Sequence, residues 1–411
     1  MNIRRCAAAL AAVAVIGSSA PAVAAGTAPS PSGRPSLPAG LYGGADPKYD
    51  GVWRQSLALL AQHTAGVRPA VKAVDWLTGQ QCADGSFAAF RAEPAHACDA
   101  KAMADSNSTA AAVQALAALG GHGAVVGKAV AWLKSVQDAD GGWGYMPGGP
   151  SDANSTSVVI GALAAAGAEP QDVVKGGKTP YDALLAFALR CSGDGGGAFA
   201  FQPDKKGELA ANADATAAGV VAALGQGMAA KAGGAGKAPA CSDAGGATPE
   251  RAAANGAAYL AHAVAKTGHL TSALPGAAAQ PDYGNTADAV VALAAQGGAG
   301  QAREPLEWLE KHAGAWARQS GPAAWAQLVL AAHATGADPR DFGGLDLVKQ
   351  LDATGPAPQA ASTKAAASAK AADSAKSGGA SGGTWWFVGA CLVAGIGIGF
   401  LLSGRKNKKV G

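Results

Sequence analysis

The sequence predicts an all-α protein: a closed α/α toroid of six helical hairpins, plus one C-terminal transmembrane helix. Three observations predict it. A short polar motif recurs with a glycine at a fixed distance after it, Ala/Val/Leu-rich segments of helical composition fill the intervals with no strand-like run, and an uncharged apolar stretch followed by basic residues ends the sequence.

The elements follow in chain order. Arg4 and Arg5 precede an apolar run from Cys6 to Ile16, and Ala22-Val23-Ala24 supplies a small-x-small cleavage pattern. Residues 1–24 therefore read as a secretory signal peptide, cut near Ala25. Residues 25–50 are rich in Pro, Gly and Ser and are expected to be a flexible leader. Residues 51–352 form the toroid domain, long enough for one substantial core.

Inside it the clearest motif copies are Asp105-Ser-Asn107-Ser-Thr109, Asp152-Ala-Asn154-Ser-Thr156, Asn212-Ala-Asp214-Ala-Thr216 and Asp282-Tyr283-Gly-Asn285-Thr286. Eleven residues after each threonine stands a glycine: Gly120, Gly167, Gly227 and Gly297, and weaker copies precede Gly66 and Gly336. Asp or Asn suits an N-cap and Gly a C-terminal stop, so each copy opens one helix. Second helices are expected at 68–81, 124–137, 179–191, 248–266, 301–318 and 341–351. The first helices are rich in Ala and Gly, which permits close approach in an inner ring. The second ones are amphipathic, as Val71, Val74, Trp76 and Leu77 beside Lys72 and Asp75 illustrate. Closing the ring removes the end-capping problem of an open array.

The stretch 353–384, made of Ala, Ser, Lys, Gly and Pro, has little to bury and is expected to be a stalk reaching roughly 100 Å when extended. Trp385 to Leu402 is an uncharged run of 18 residues with two tryptophans at its outer edge, and the tail 403–411 carries Arg405, Lys406, Lys408 and Lys409. The expected location is the cell membrane, single-pass, with the large domain outside and the C-terminus in the cytoplasm. No LPxTG-type wall-sorting motif precedes the anchor. The net charge of +3 derives mostly from the two ends, and no basic patch with interleaved aromatics suggests nucleic acid.

Cys82, Cys98, Cys191 and Cys241 remain after the signal and the membrane segment are set aside, an even number in an oxidising setting. Three pairings are open; Cys82–Cys98 with Cys191–Cys241 is preferred because neither loop crosses the other. No CxxC or HxxxH spacing supports zinc, and no calcium-loop pattern is complete.

The loops after the second helices share a character: Gln80-Gln81-Cys82-Ala-Asp84-Gly85-Ser-Phe87, Gln137-Asp138-Ala-Asp140-Gly-Gly-Trp143-Gly-Tyr145, and Asp194 through Phe199 to Phe201. With Trp132 to Gln137 before it, the second resembles the Gln/Trp repeat signature of the prenyltransferase and squalene-cyclase superfamily. That resemblance covers nearly all of 51–352 and implies an α6/α6 barrel. It also implies functions to look for. A class II cyclase would need a DxDD acid, and Asp138-Ala-Asp140-Gly-Gly lacks its last aspartate. A prenyltransferase β-subunit would need an Asp/Cys/His zinc site, and a thioester domain a Gly-Cys-x-x-Gln segment; neither is present. The expectation is therefore a binding protein without catalysis and without a cofactor, closest in character to the α-barrel of cobalamin carriers. A corrinoid would be its ligand, and a transporter or second binding protein its partner.

In a hairpin toroid the inner helices are parallel, so their N-termini share one rim. The expected ligand-binding residues are Asp105, Asn107, Thr109, Asp152, Asn154, Thr156, Asp214, Thr216 and Asn285, with Trp143, Tyr145 and Tyr283 as aromatic walls. The competing assignment makes the Asp, Asn and Thr groups caps and the aromatics locks that hold loops to the barrel. Two further alternatives are an extracytoplasmic enzyme of the terpene-cyclase or prenyltransferase type and a protein-docking scaffold.

Overall fold

The computed structural model describes residues 37–99, 102–236, 240–272 and 278–360. The signal peptide, the transmembrane segment 385–402, the tail and most of the stalk lie outside the described residues. Among the described residues no helix is long and apolar enough to cross a membrane. Contacts divide the chain into Met1–Pro38 and Ala39–Gly411, and all the helices belong to the second unit.

That unit is largely helical. Its elements are α1 (Gly51–Thr64), α2 (Val71–Gly79), α3 (Ser106–Leu119), α4 (Gly123–Ser135), α5 (Ala153–Ala165), α6 (Pro180–Ala186), α7 (Ala213–Ala223), α8 (Pro249–Val264), α9 (Tyr283–Gly297), α10 (Arg303–Ser320), α11 (Pro322–Thr335) and α12 (Leu347–Asp352). The odd-numbered helices pack in a cycle: α1 on α3, α3 on α5, α5 on α7, α7 on α9, α9 on α11, and α11 back on α1. Each even-numbered helix packs on the odd one before it. Composition explains the two roles. α3 is buried without a break from Ser108 to Leu116, as a helix apolar on most sides must be. α10 buries one stripe, Leu306, Leu309, Ala313 and Ala317, and turns its charged face outward.

Five of the six second helices are shorter than the sequence predicts, whereas α10 keeps the expected length shifted by two residues; in α6, α8 and α12 residues expected inside the helix act as caps. Thr179 closes a capping box with Asp182, and the Thr248 hydroxyl accepts from the Arg251 amide at 3.3 Å; a proline follows each threonine. The stretch 341–346 is a turn in which Phe342 and Leu345 pair, and α12 starts only after the Asp346 cap. The expected absence of strands needs a small correction: β1 (Phe199–Ala200) pairs with β2 (Ala211–Asn212), and β3 (Thr271–Ser272) with β4 (Gln280–Pro281). Two of the four glycine stops also move. α3 ends on Gly120 and α5 just before Gly167, both at positive φ. α7 ends early, with Gly225 at φ 66°, and α9 runs through Gly297 to Gly298 at φ 80°.

The recurrent motif does two structural jobs. Its first residue caps: Asp105, Asp152, Asn212 and Asp282 each accept from a first-turn amide at 2.6, 2.7, 2.9 and 3.1 Å. Its threonine clamps the preceding loop. The hydroxyls of Thr109, Thr156, Thr216 and Thr286 accept from the amides of Phe87, Trp143, Phe199 and Leu270 at 3.0, 3.1, 2.9 and 3.0 Å. All four loop residues are buried. α1 and α11, the weak copies, have no side-chain cap.

The loop glutamines join neighbouring hairpins. Gln81 Nε2 donates to Gly85 O at 3.0 Å and to Val125 O at 2.8 Å; Gln137 Nε2 donates to Gly141 O at 2.8 Å and, across to the next hairpin, to Val173 O at 3.4 Å. Gly141 has φ 89°, and a Cβ there would overlap the Thr179 carbonyl, so the Asp-Gly turn is a close-approach site. The disulfides are Cys82–Cys98 and Cys191–Cys241, the preferred pairing, and they belong to an oxidising compartment.

Residues flanking 51–352 on both sides also pack against it. Tyr42, placed by sequence in a flexible leader, is fully buried; its amide donates to Gln55 Oε1 at 2.9 Å and its hydroxyl to Gln62 Oε1 at 3.0 Å. From the expected stalk, Thr354 O accepts from Gly43 N at 2.8 Å, and Gln359 Nε2 donates to Pro69 O at 2.7 Å. One aromatic and two backbone-satisfying contacts suffice to order segments whose composition alone suggests none.

Two outcomes follow. Thr156→Val keeps the side-chain shape and orphans the Trp143 amide, so urea unfolding should show a loss of about 1–2 kcal/mol. A chain ending at 352 loses the Thr354 and Gln359 contacts and should melt several degrees below one ending at 360; equal melting points would favour the boundary at 352.

Candidate functional site

The inner helices enclose a cavity of about 390 Å³ to which all six contribute. Its polar lining comes first from the opening turns of α3, α5, α7 and α9: Asn107, Asn154, Asp214 and Asn285. Asn107, Asn154 and Asp214 each sit two residues after their cap, and Asn285 three after its cap. Deeper in lie Ser157, Asp288, Gln114 and Gln327, with Val158, Val221, Val291 and Leu330 as apolar wall and Trp53 and Leu57 from α1. The segment 226–228 after α7 also contributes. It is held by Gln114, whose Oε1 accepts from Met228 N at 2.8 Å while Nε2 donates to Val158 O at 3.0 Å. Gly161 and Gly227 touch, and a Cβ on either would collide, so Gly227, the stop expected for α7, serves as a close-approach site on α5.

Two carboxylates dominate the electrostatics. Asp288 is pushed up to about 7, chiefly by burial and then by the nearby Asp214, against a weaker opposing bond from Gln327 Nε2 at 3.3 Å. Burial also raises Asp214, partly offset by Asn154, whose Nδ2 donates to Asp214 Oδ2 at 2.5 Å. No Lys, Arg or His is among the residues lining the cavity. Three lining atoms, Asn107 Oδ1, Asn154 Oδ1 and Ser157 Oγ, are buried and have no hydrogen-bond partner.

The twelve residues expected at the rim therefore separate. Asn107, Asn154, Asp214 and Asn285 come together in the cavity. Asp105 and Asp152 are buried caps; burial lifts Asp105 to about 6 in spite of the Ser108 amide. Thr109, Thr156 and Thr216 are buried clamps. Trp143 is a correction: it is fully buried, with Nε1 donating to Leu133 O at 2.8 Å, and forms part of the core instead of an open wall. Tyr145 is exposed and its hydroxyl bonds Asp105. Tyr283 stacks on Trp316 and meets Trp308 at a tilt, at centroid separations of 5.5 and 5.0 Å. Asp138 and Asp140 both accept from Ser151 Oγ, and Asp140 also takes the Gly142 amide at 2.9 Å, as a turn aspartate does. Among the described residues no group of three His, Cys, Asp or Glu could hold a metal.

Sequence reasoning missed Trp53, Gln114, Ser157, Asp288 and Gln327. A signal was present: they are isolated polar or bulky residues within Ala/Val/Leu-rich helices. Ser157 and Asp288 each lie three residues after a motif residue, Asn154 and Asn285, that lines the same cavity.

No family model matches the sequence, and no curated protein does. Among solved structures it is similar to a protein from Actinoplanes, at 16% identity and a TM-score of 0.47, over 73% of this chain and 94% of that one. It is also similar to ent-copalyl diphosphate synthase from Streptomyces platensis, at 17% identity and a TM-score of 0.44, over 70% of this chain and 50% of that one. This chain thus spans half the length of the synthase.

A carboxyl group raised by the fold opposes folding once it must ionise. In the unfolded chain Asp288 loses its proton near pH 4, and in the folded chain near 7. Its cost therefore grows as pH rises between those values and is constant above them. Asp288→Asn should stabilise the chain by at least about 1 kcal/mol at pH 8 and leave it unchanged near pH 3.5, as read by urea titration at the two pH values.

Proposed function

We propose that this protein is an extracytoplasmic binding protein, an α/α toroid that takes a compact small molecule into its central cavity. The observation that carries the reading is the convergence of side chains from all six inner helices on one cavity in which three buried polar atoms lack partners. The capping and clamping bonds on the same helices are made; outside the cavity the unmatched buried atoms, Arg54 Nε, Asp105 Oδ2, Ser106 Oγ and Gln296 Oε1, do not line one common space. Polar groups that a fold leaves buried and unmatched cost about 1–3 kcal/mol each, and a ligand offsets that cost. The two disulfides and the signal peptide expected at residues 1–24 support placement outside the cytoplasm, and the expected C-terminal anchor would hold the protein at the membrane beside a transporter or second binding protein.

The cavity size bears on the ligand. About 390 Å³ is at the low end for small-molecule sites, so a corrin ring would lie across the mouth with only an edge inserted. A compact polar molecule fits inside.

One observation favours a second reading. Asp288 holds a proton to about 7 within the cavity, as an acid that protonates an alkene must. Its surroundings oppose that chemistry: among the described residues Trp53 is the one aromatic side chain in the lining, whereas amide and carboxylate oxygens abound and would trap a carbocation.

Native mass spectrometry of the full chain against a pool of small polar compounds, cyanocobalamin and a linear polyprenyl diphosphate separates these readings. A bound mass should appear and should vanish in Ala218→Phe, which fills the cavity, while the melting point stays within a few degrees. A bound mass that survives Ala218→Phe would contradict the site. Conversion of the diphosphate by the wild type and not by Asp288→Asn would establish the acid instead.

A further inference from the structure

We propose that the ligand of the central cavity is an organic ammonium cation, an inference that rests on the binding reading above. Asp214 and Asp288 are the charged residues of the lining, and no cationic side chain accompanies them. Like charges facing one low-dielectric space repel, and a cation between them replaces repulsion with attraction. The second observation is independent of the carboxylates. Ser157 is 5% exposed, lines the same cavity, and its hydroxyl oxygen has no partner.

The unmatched atoms specify the kind of ligand. Asn154 commits its Nδ2 to Asp214, which leaves its Oδ1 as an acceptor with no donor; Asn107 Oδ1 is in the same condition. An alkylammonium has three donors and no acceptor, so it can meet three of the acceptors that the two carboxylates, the two amide oxygens and the serine hydroxyl present. An anion would be drawn to helix N-termini elsewhere, but here each of the caps Asp105, Asp152, Asn212 and Asp282 already takes one first-turn amide, and three of them are carboxylates that repel an anion. A neutral polyol would leave both carboxylates uncompensated. A bare metal ion would not fill about 390 Å³. Val158, Val221 and Leu330 would line the hydrocarbon part, and Trp53 adds an aromatic side chain to the same lining.

Protonation competes with such a ligand. The groups that act on Asp288 are Asp214 from α7 and Asp282 at the N-cap of α9, and α11 presents the neutral Gln327. Since each neighbour is either anionic or neutral, lowering the pH neutralises the site and weakens a cation.

The test is calorimetric titration of the full chain with hexane-1,6-diammonium, hexane-1,6-diol and calcium chloride, at pH 8 and pH 5.5. The diammonium should bind saturably at pH 8, at least tenfold more tightly than the diol, and at least tenfold less tightly at pH 5.5. Asp288→Asn and Asp214→Asn should each weaken it tenfold or more. Ser157→Ala, which leaves the charges in place and removes an unmatched hydroxyl, should weaken it several-fold with an equal or higher melting point of the free protein. The proposal is overturned if the diol binds as well as the diammonium, if calcium binds and the diammonium does not, or if both Asn variants bind the diammonium normally. If a neutral or anionic compound is retained by the wild type and lost in Ala218→Phe, the cation assignment fails and the cavity reading stands. If no compound of any charge is retained, both fail.

Discussion

The structure depends on one hydrogen bond made four times, from a loop amide to the hydroxyl of a threonine on the first or second turn of an inner helix. A helical hairpin that packs into a ring must return its chain to the same end each time, and the returning loop brings backbone polar groups into the core. The threonine satisfies one of these groups at a defined height above the helix start. The cap residue four positions earlier completes the arrangement: the amides of Asp105, Asp152 and Asp282 donate to the carbonyls of the same loop residues, Phe87, Trp143 and Leu270, at 3.1, 3.0 and 2.9 Å. Cap and clamp together fix where each inner helix begins, and so put the residues between them at one level of the ring.

That arrangement separates structure from function inside a five-residue motif. The cap and the threonine point into bonds that hold the loop. The residue between them, Asn107, Asn154 or Asp214, is left for the interior space. The polar groups there are expensive in stability terms: carboxylates with raised pKa and oxygens without donors. A purely structural ring would place alanine or valine at these points, as the same helices do at Ala217 and Val158. Several such costly groups brought to one cavity by different helices are the physical mark of a site.

Much of the architecture was legible in the sequence, because capping and periodicity are local. Asp105 and Asp152 announce helix starts, Gly120 and Gly167 announce ends, and the hairpin count follows from their recurrence. The disulfide partners were legible from the even count and the uncrossed loops. What depends on distant contacts was not. Tyr42 joins the core through Gln55 and Gln62, and Gly227 leaves its helix pattern to meet Gly161. The rim was half legible: a motif shows which residues lie near the helix start, but not which side each faces. Trp143 looked like a binding wall because aromatic loop residues often are, and it is buried because its indole N–H finds the Leu133 carbonyl. Asp288 lies outside the motif, and only the three-dimensional approach of α7 to α9 brings it beside Asp214.

The central claim is that the threonine clamps fix the ring and thereby the level of the site. Amide hydrogen exchange of the native chain, resolved to single residues, tests it most directly at Phe87, Trp143, Phe199 and Leu270. These are loop positions, yet the clamps predict that they exchange as slowly as the inner-helix amides of α3 and α5, through global unfolding. Exchange at the rate of the unclamped loop amides around them would show that the loops open independently of the ring, and would contradict the account.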